Sequence, residues 1–523
     1  AMLLRSGFCS RAATFARHLI RPRPTLGNLS PYSTAAPSTS GSHDGHDGAH
    51  GGSVRTGFLT DVEGNLEFFV RSVEFSSVLK LTSRSAAGLE LDFADDQGKF
   101  VYGGDVCDHG PGDIRIARAL VDLKHRHPDR VFLLAGNRDI NKLRFSSELW
   151  PRIDSAQENF DRINSCNASE TRPETHENAA DFLRTMLSRT MGSPNAFERR
   201  RQELSELGEA KKSGSHNPRN SEVGSQNDNN KLKNIDYEDL SKGDQKEMSN
   251  NRPFEASDDD VVASFGDSVR PGGYMIEYLE AAQLAVLLGD TLFVHGAVPE
   301  RGLGFVPTSR TGGFVVSEAR DWISKLNSFY REQLAIWRQD PLHHAPNKNG
   351  DLVMDYSRPG GVEGRGVVYN DWLESDDTLP EPISDKVAEF LTKSGIRRVV
   401  SGHRPHGVTP TVIRRDSDPD LTVITADTSY SDPDAEDNRG EVIYEVLIEE
   451  EDTYIRGILK DGTPYSFHVS DYPELGHRVA NGGHAKAVVP EGLLVCHSRG
   501  PGTFSSELDY EVTSSSSPSS YST

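Results

Sequence analysis

Five times along this chain a short apolar run breaks off into a polar turn that contains glycine: TGFLTDVEGN, KFVYGGDVCDHG, RVFLLAGNRD, TLFVHGAV and RVVSGHRPHG. Runs this short, rich in β-branched and aromatic residues, make buried strands and are too brief for helices. Between the second and third, IRIARALVDLKHRHP carries Ile116, Leu120 and Leu123 at helical spacing. Strand, loop, helix, strand and loop in succession describe an α/β sheet, whose polar loops gather along the carboxyl edge of the strands. The five clusters are therefore expected to converge, bringing together Asp61, Glu63, Asp105, Asn137, His295 and His403. Asp61 and Glu63, two positions apart, project to the same side. Carboxylates, an amide and two imidazoles suit a pair of divalent cations sharing one carboxylate. Singly, each cluster has a plainer explanation, a turn or a satisfied buried histidine; their joint order carries the metal reading.

The remainder of the chain frames this unit. The first 43 residues hold no acidic side chain but do hold Arg5, Arg11, Arg17, Arg21 and Arg23, the composition of an organellar presequence. Residues 1–53 are thus expected to be a presequence and a Gly/His-rich linker, with a mitochondrial location ahead of the plastid and cytoplasmic alternatives. Residues 54–475 form the main domain, with an insertion at 150–265. Within the insertion, 178–208 is helical, with Phe182, Leu183, Met186 and Leu187 on one face. Residues 211–251 are too polar to bury a core and are expected to be disordered. YMIEYLEAAQLAVLLGDTLFVHG is expected to be a helix followed by a strand, residues 317–338 a helical cap, and 476–523 a C-terminal tail. A balance of 57 Lys+Arg against 79 Asp+Glu, net −22, argues against nucleic-acid or anionic-membrane surfaces. Four scattered cysteines without a CxxC argue against a disulfide-built fold. No apolar run reaches the roughly 18 residues of a membrane span.

In order, GDVCDHG, GNRD, FVHG and SGH resemble the motifs of the calcineurin-like metallophosphoesterases, closest to the protein Ser/Thr phosphatase branch. The resemblance covers roughly residues 56–145 and 270–450. It implies two mixed β-sheets packed together and flanked by helices, with two divalent metal ions, Mn²⁺ ahead of Fe, Zn²⁺ or Mg²⁺. Asp61, Glu63 and Asp105 would hold one ion and Asp105, Asn137, His295 and His403 the other. The implied reaction is hydrolysis of a phosphate monoester, in a phosphoprotein or small phosphorylated molecule, by metal-activated hydroxide. Arg365, in EGRGVVYN, matches a phosphate-gripping arginine of that family.

The chain departs from the pattern at three positions. Glu63 replaces a histidine ligand, making the first site all-oxygen and harder. His109 replaces an arginine that grips phosphate. Arg138 replaces the histidine that, with the aspartate at Asp108, protonates the leaving group. A guanidinium stays charged and cannot be a general acid, but it can pair with Asp108 and bind phosphate. The proton donor is then expected to be His109 or His406, or to be dispensable for an ester with a good leaving group. The alternative to an enzyme is a catalytically impaired relative that uses the same surface to bind a partner.

Overall fold

The computed structural model describes residues 54–154, 178–214, 253–342, 350–374, 379–415, 421–428, 442–450, 452–498 and 508–514. The expected presequence and linker, nearly all of the polar stretch 211–251, and residues 515–523 lie outside that set.

All five apolar runs are strands: Thr56–Leu59, Lys99–Tyr102, Val131–Leu134, Thr291–Val294 and Arg398–Ser401. They are continuously apolar rather than alternating because both of their faces are covered. The first three lie side by side and parallel in a seven-stranded sheet. Its order is Pro464–His468, Thr453–Ile458, Ile443–Ile448, Thr56–Leu59, Lys99–Tyr102, Val131–Leu134, Ala282–Gln283. The register sets Leu59 beside Tyr102 and Tyr102 beside Leu133, so the three strands end level. The other two runs are parallel neighbours in a five-stranded sheet, with Thr422–Thr425 and Thr411–Ile413 beyond one and Ala285–Leu288 beyond the other. Both sheets mix parallel and antiparallel pairs, and the rings of Phe58 and Phe293 stack across them at 5.8 Å. This is a mixed α/β architecture.

The helices follow apolar stripes. In Asp113–Arg126 the buried side includes Ile116, Leu120 and Leu123, as the spacing required. The start of Leu66–Phe75 is capped by Asn65, whose side chain accepts the Phe68 amide at 3.0 Å. Three expectations are corrected. YMIEYLEAAQLAVLLGDTLFVHG is more than a helix followed by one strand: Tyr274–Ala281 is helical, Ala282–Gln283 completes the first sheet, and Ala285–Leu288 opens the second ahead of Thr291–Val294. The crossing is fixed by Asn327, whose side-chain oxygen accepts the Leu284 and Ala285 amides at 3.0 and 3.2 Å.

Residues 317–338 are not a cap. The helix Ala319–Gln339 buries Trp322, Leu326, Phe329, Tyr330, Leu334 and Trp337. Burial of that stripe stabilises by about 1.5–3 kcal/mol per side chain, which ties the helix to the core. Its Trp322 indole donates to Phe305 O at 2.9 Å and its Tyr330 hydroxyl to Leu279 O at 2.8 Å. Residues 476–523 are not simply a tail. His484–Val489, Gly492–Ser498 and Leu508–Thr513 form a third, antiparallel sheet with buried Ala485, Ala487, Val495 and Cys496.

The insertion is helical over Ala179–Thr190, Ala196–Gly214 and Asp258–Asp267. The second of these helices runs four residues into the stretch expected to be disordered. It also reaches the main domain: Arg200, fully buried, pairs with Asp113 at 2.8 Å.

Candidate active site

The level strand ends place TDVEGN, GGDVCDHG and AGNRD side by side, and the second sheet adds FVHG and SGHRPHG. The first two loops bond to each other: Asp61 N donates to Gly104 O at 3.1 Å, Glu63 N to Asp105 O at 3.0 Å, and His109 N to Glu63 O at 2.6 Å. Asp139 ties the third loop on, accepting the Asp105, Val106 and Gly136 amides at 2.9 Å each. The fifth joins through His403 N, which donates to Asp61 Oδ2 at 2.9 Å. Gly104, at φ 100°, allows this closeness, since a Cβ there would sit 2.7 Å from Gly136 N and 2.8 Å from His295 Nδ1. Gly402 does the same on the other side, where a Cβ would meet Asp61 Oδ2 at 2.0 Å.

The backbone is strained where the chemistry is. Asp61, Glu63, Asp105, Asp108 and His403 all have positive φ, between 46° and 116°. Such conformations cost on the order of 1–3 kcal/mol each and persist only when neighbours enforce them, as the hydrogen bonds above do.

All six candidate ligands are brought together. Donor atoms of Asp61, Glu63 and Asp105 lie within 4.8 Å of one another, as do those of Asp105, His295 and His403. Asp105 belongs to both groups. Asn137 adjoins the second, its Oδ1 being 3.1 Å from His295 Nε2. His295 Nδ1 donates to Gly103 O at 2.8 Å, which directs Nε2 at Asp105, 3.4 Å away. The bond from Nδ1 to Gly103 O is of the kind that holds a ligating imidazole in orientation.

The donors fit divalent cations. Both ring nitrogens of His403 and Oδ1 of Asp61 are buried without a hydrogen-bond partner, a costly arrangement for a group that has no ligand. Burial raises the Asp61 carboxyl to about 6. Burial opposes ionisation of Asp105 as well, but the charges on His295 and Arg138 hold it below the usual carboxylate range. Burial works against a charged His295, yet Asp105 and Asp61 push it up to about 10. Burial and the His295 charge push His403 down to about 3. A cation at His295 would therefore release a proton from Nε2 as it bound.

The residues around the ligands are partly as expected. Arg138 reaches the carboxylates: its Nε is 3.1 Å from Glu63 Oε1, and its Nη1 is 3.5 Å from Asp108 Oδ2. The nearer partner of Asp108 is Lys142, at 2.7 Å and almost fully buried, which sequence reasoning missed although it lies one helical turn after Arg138. His109 Nε2 is 3.4 Å from Glu63 Oε2, and His109 lines the cleft. His406 does not line it. Its Nδ1 faces Thr411 Oγ1 at 2.9 Å and Lys486 Nζ at 3.1 Å, so it joins the third sheet instead. Arg365 is likewise outside the cleft lining, paired with Glu363 at 2.9 Å and stacked over Phe305. Arg404, the residue after His403, lines the cleft where Arg365 was expected, beside Tyr369, whose ring meets that of His403 at 4.8 Å.

The cleft has a volume of about 1300 Å³. Its walls include Arg144, residues 188–192 of the insertion, Arg310, Asp351 and Arg358. No residue of the helix Ala319–Gln339 is among its lining.

Fold and site together define an α/β protein with a buried carboxylate–imidazole centre at the strand ends. No family model matches the sequence, and no curated protein matches it. Among solved structures, a cold-active protein-tyrosine phosphatase of a psychrophilic Shewanella aligns at 13% identity over 79% of this chain and 80% of that one, with a TM-score of 0.36. A protein serine/threonine phosphatase from Saccharomyces cerevisiae aligns at 13% identity over 76% and 73%, with a TM-score of 0.29. Alignments this loose fix no function, and the chemistry rests on the cleft itself.

Proposed function

We propose that the protein is a dinuclear metal-dependent phosphoesterase that hydrolyses phosphate monoesters, of a phosphoprotein or of a small phosphorylated molecule. The observation that carries this is the sharing of Asp105 between two groups of three donors, each within 4.8 Å. In this reading Asp61, Glu63 and Asp105 hold one cation, and Asp105, Asn137, His295 and His403 the other. Bound divalent cations supply the acidity that makes water a nucleophile at neutral pH and offset charge on the phosphoryl group. Glu63 makes the first group all-oxygen, which favours Mn²⁺ or Mg²⁺ there.

The chain's own residues do the rest. Arg404 lies on the cleft wall beside His403, where a guanidinium can take two phosphate oxygens. In this reading His109, which lines the cleft and faces Glu63, gives a proton to the departing alcohol. Asp139 keeps Asp105 and Asn137 in relation to each other. An arginine-rich leader without acidic residues supports a mitochondrial location in the same reading.

The test is metal content beside turnover. Full chain purified and loaded with Mn²⁺ is expected to carry close to two ions and to hydrolyse an activated aryl phosphate. Chelation should abolish that activity, and Asp105→Asn should lose both metal and turnover. Metal without turnover would favour the partner-binding relative; no metal at all would remove the assignment.

A further inference from the structure

The two donor groups are not equivalent, and Arg138 is the reason. Four arginines of the cleft wall pair with carboxylates outside the ligand set: Arg144 with Glu148 at 2.7 Å, Arg310 with Asp351 at 2.6 Å, Arg358 with Asp355 at 2.6 Å and Arg404 with Asp371 at 3.6 Å. Arg138 turns inward. Its Nε is 3.1 Å from Glu63 Oε1, which only the all-oxygen group contains, and 3.6 Å from Asp105 Oδ2, which both groups share. It is held there at both ends. Its backbone amide donates to Asp105 Oδ1 at 2.9 Å, and Nη1 donates to Ser193 Oγ at 3.1 Å, on the turn between two helices of the insertion. Ser193 is fully buried, so the insertion supplies a fixed post for the guanidinium. Among the described residues, Arg138 makes no ion pair with one that belongs to the other group alone, whose His403 nitrogens are both buried without a hydrogen-bond partner.

Resting on the metal-site reading above, we propose that Arg138 is a tethered competitor for the cation of the Asp61–Glu63–Asp105 group. The imidazole-containing group then fills first, and the carboxylate group fills only when divalent ion is plentiful enough to displace the guanidinium. The physics is direct. A cation bound by oxygen needs lone pairs and negative charge on those oxygens, and the guanidinium occupies a lone pair of Glu63 Oε1 and offsets part of the charge. Two positive charges a few ångströms apart in a buried site also repel each other strongly. Displacement has a destination: Asp108 Oδ2 is already 3.5 Å from Nη1. The insertion gains a role as well, since Ser193 sets how firmly the competitor is held. Occupancy of the second position becomes a reading of the free divalent ion concentration.

The experiment is an equilibrium Mn²⁺ titration of the metal-stripped full chain, with free ion counted by electron paramagnetic resonance. Wild type is expected to bind one ion tightly and a second about tenfold or more weakly. In Arg138→Met the second affinity should rise by about tenfold, and the first by a clearly smaller factor through the shared Asp105. Ser193→Ala, which loosens the tether and leaves every carboxylate in place, should move the second affinity the same way by a smaller factor. Circular dichroism confirms that each variant is folded. Two ions of equal affinity in wild type, or a second affinity that neither substitution moves, would overturn the proposal and leave the metal reading intact. Absence of any Mn²⁺ binding would remove both.

Discussion

Replacing Glu203 by alanine tests whether the insertion is part of the domain or an ornament on it. The helix Asp113–Arg126 starts at Gly112, which has no side chain to cap it. Glu203, from the insertion and fully buried, does so in trans: it accepts the Ile114 amide on both oxygens at 3.1 Å and the Arg115 amide at 3.1 Å. It also faces Arg115 Nε at 3.4 Å and Arg200 Nε at 3.7 Å. Loss of a cap and of a negative charge at a helix start costs about 1–2 kcal/mol. Leaving buried guanidiniums short of a counter-charge raises the range to about 3–5 kcal/mol. Arg115 keeps Glu206 at 2.7 Å and Arg200 keeps Asp113 at 2.8 Å, which sets the expectation for Glu203→Ala at the lower end, about 3 kcal/mol. Glu203→Gln, which keeps the shape and one acceptor, should lose about half of that. Urea unfolding followed by tryptophan fluorescence measures both. A Glu203→Ala protein within about 0.5 kcal/mol of wild type, the range of an ordinary surface change, would refute the reasoning.

Other outcomes follow from the cleft and from the third sheet. Arg404→Ala should raise KM about tenfold, whereas Arg365→Ala should leave kcat/KM within about twofold, because only the first lines the cleft. His109→Gln should lower kcat on the order of 10²-fold for an ester with a poor leaving group and far less for an activated aryl phosphate. His406→Asn should alter stability and spare that leaving-group dependence. Burial pushes the Lys486 amine down from 10.5 to about 7. As pH falls from 10.5 towards 7, the unfolded chain therefore takes up a proton that the folded chain refuses, and stability is lost across that window and levels off below it. Lys486→Met removes this linkage, so its stability relative to wild type should rise by up to about 4–5 kcal/mol between pH 10.5 and 7. Denaturation midpoints at four pH values measure it.

Backbone placement was legible where side-chain direction was not. Short apolar runs ending in glycine and polar residues marked all five strands, and the convergence of strand-end loops accounts for Asp61, Glu63, Asp105, Asn137, His295 and His403 coming together. The strand-end rule says where a loop goes, and no more. Arg365 and His406 sit close in sequence to cleft residues, yet one turns to Glu363 and the other to Thr411 and Lys486. Lys142 was illegible because a lysine one turn along a short helix is ordinarily a solvated charge. The third sheet was hidden by its glycine- and serine-rich flanks. Its signal was HAKAVVPEGLLVCHS, two apolar runs on either side of Pro490-Glu491, where Val489 pairs with Gly492. Glu203 and Arg200 lie in a helix polar enough to pass for surface, and only their partners in the main domain reveal otherwise.

The third sheet also imposes an order on synthesis. The loop that carries His403 is anchored from behind: Val408 N donates to the Tyr510 hydroxyl at 3.2 Å, and Lys486 reaches His406 O. Every candidate ligand leaves the ribosome before those anchors do. At ordinary elongation rates the stretch from His403 to Tyr510 takes on the order of 5–20 s to make. Throughout that interval the nascent chain holds a full set of donors around a loop that is not yet fastened. A messenger truncated ahead of Tyr510 would make that interval permanent.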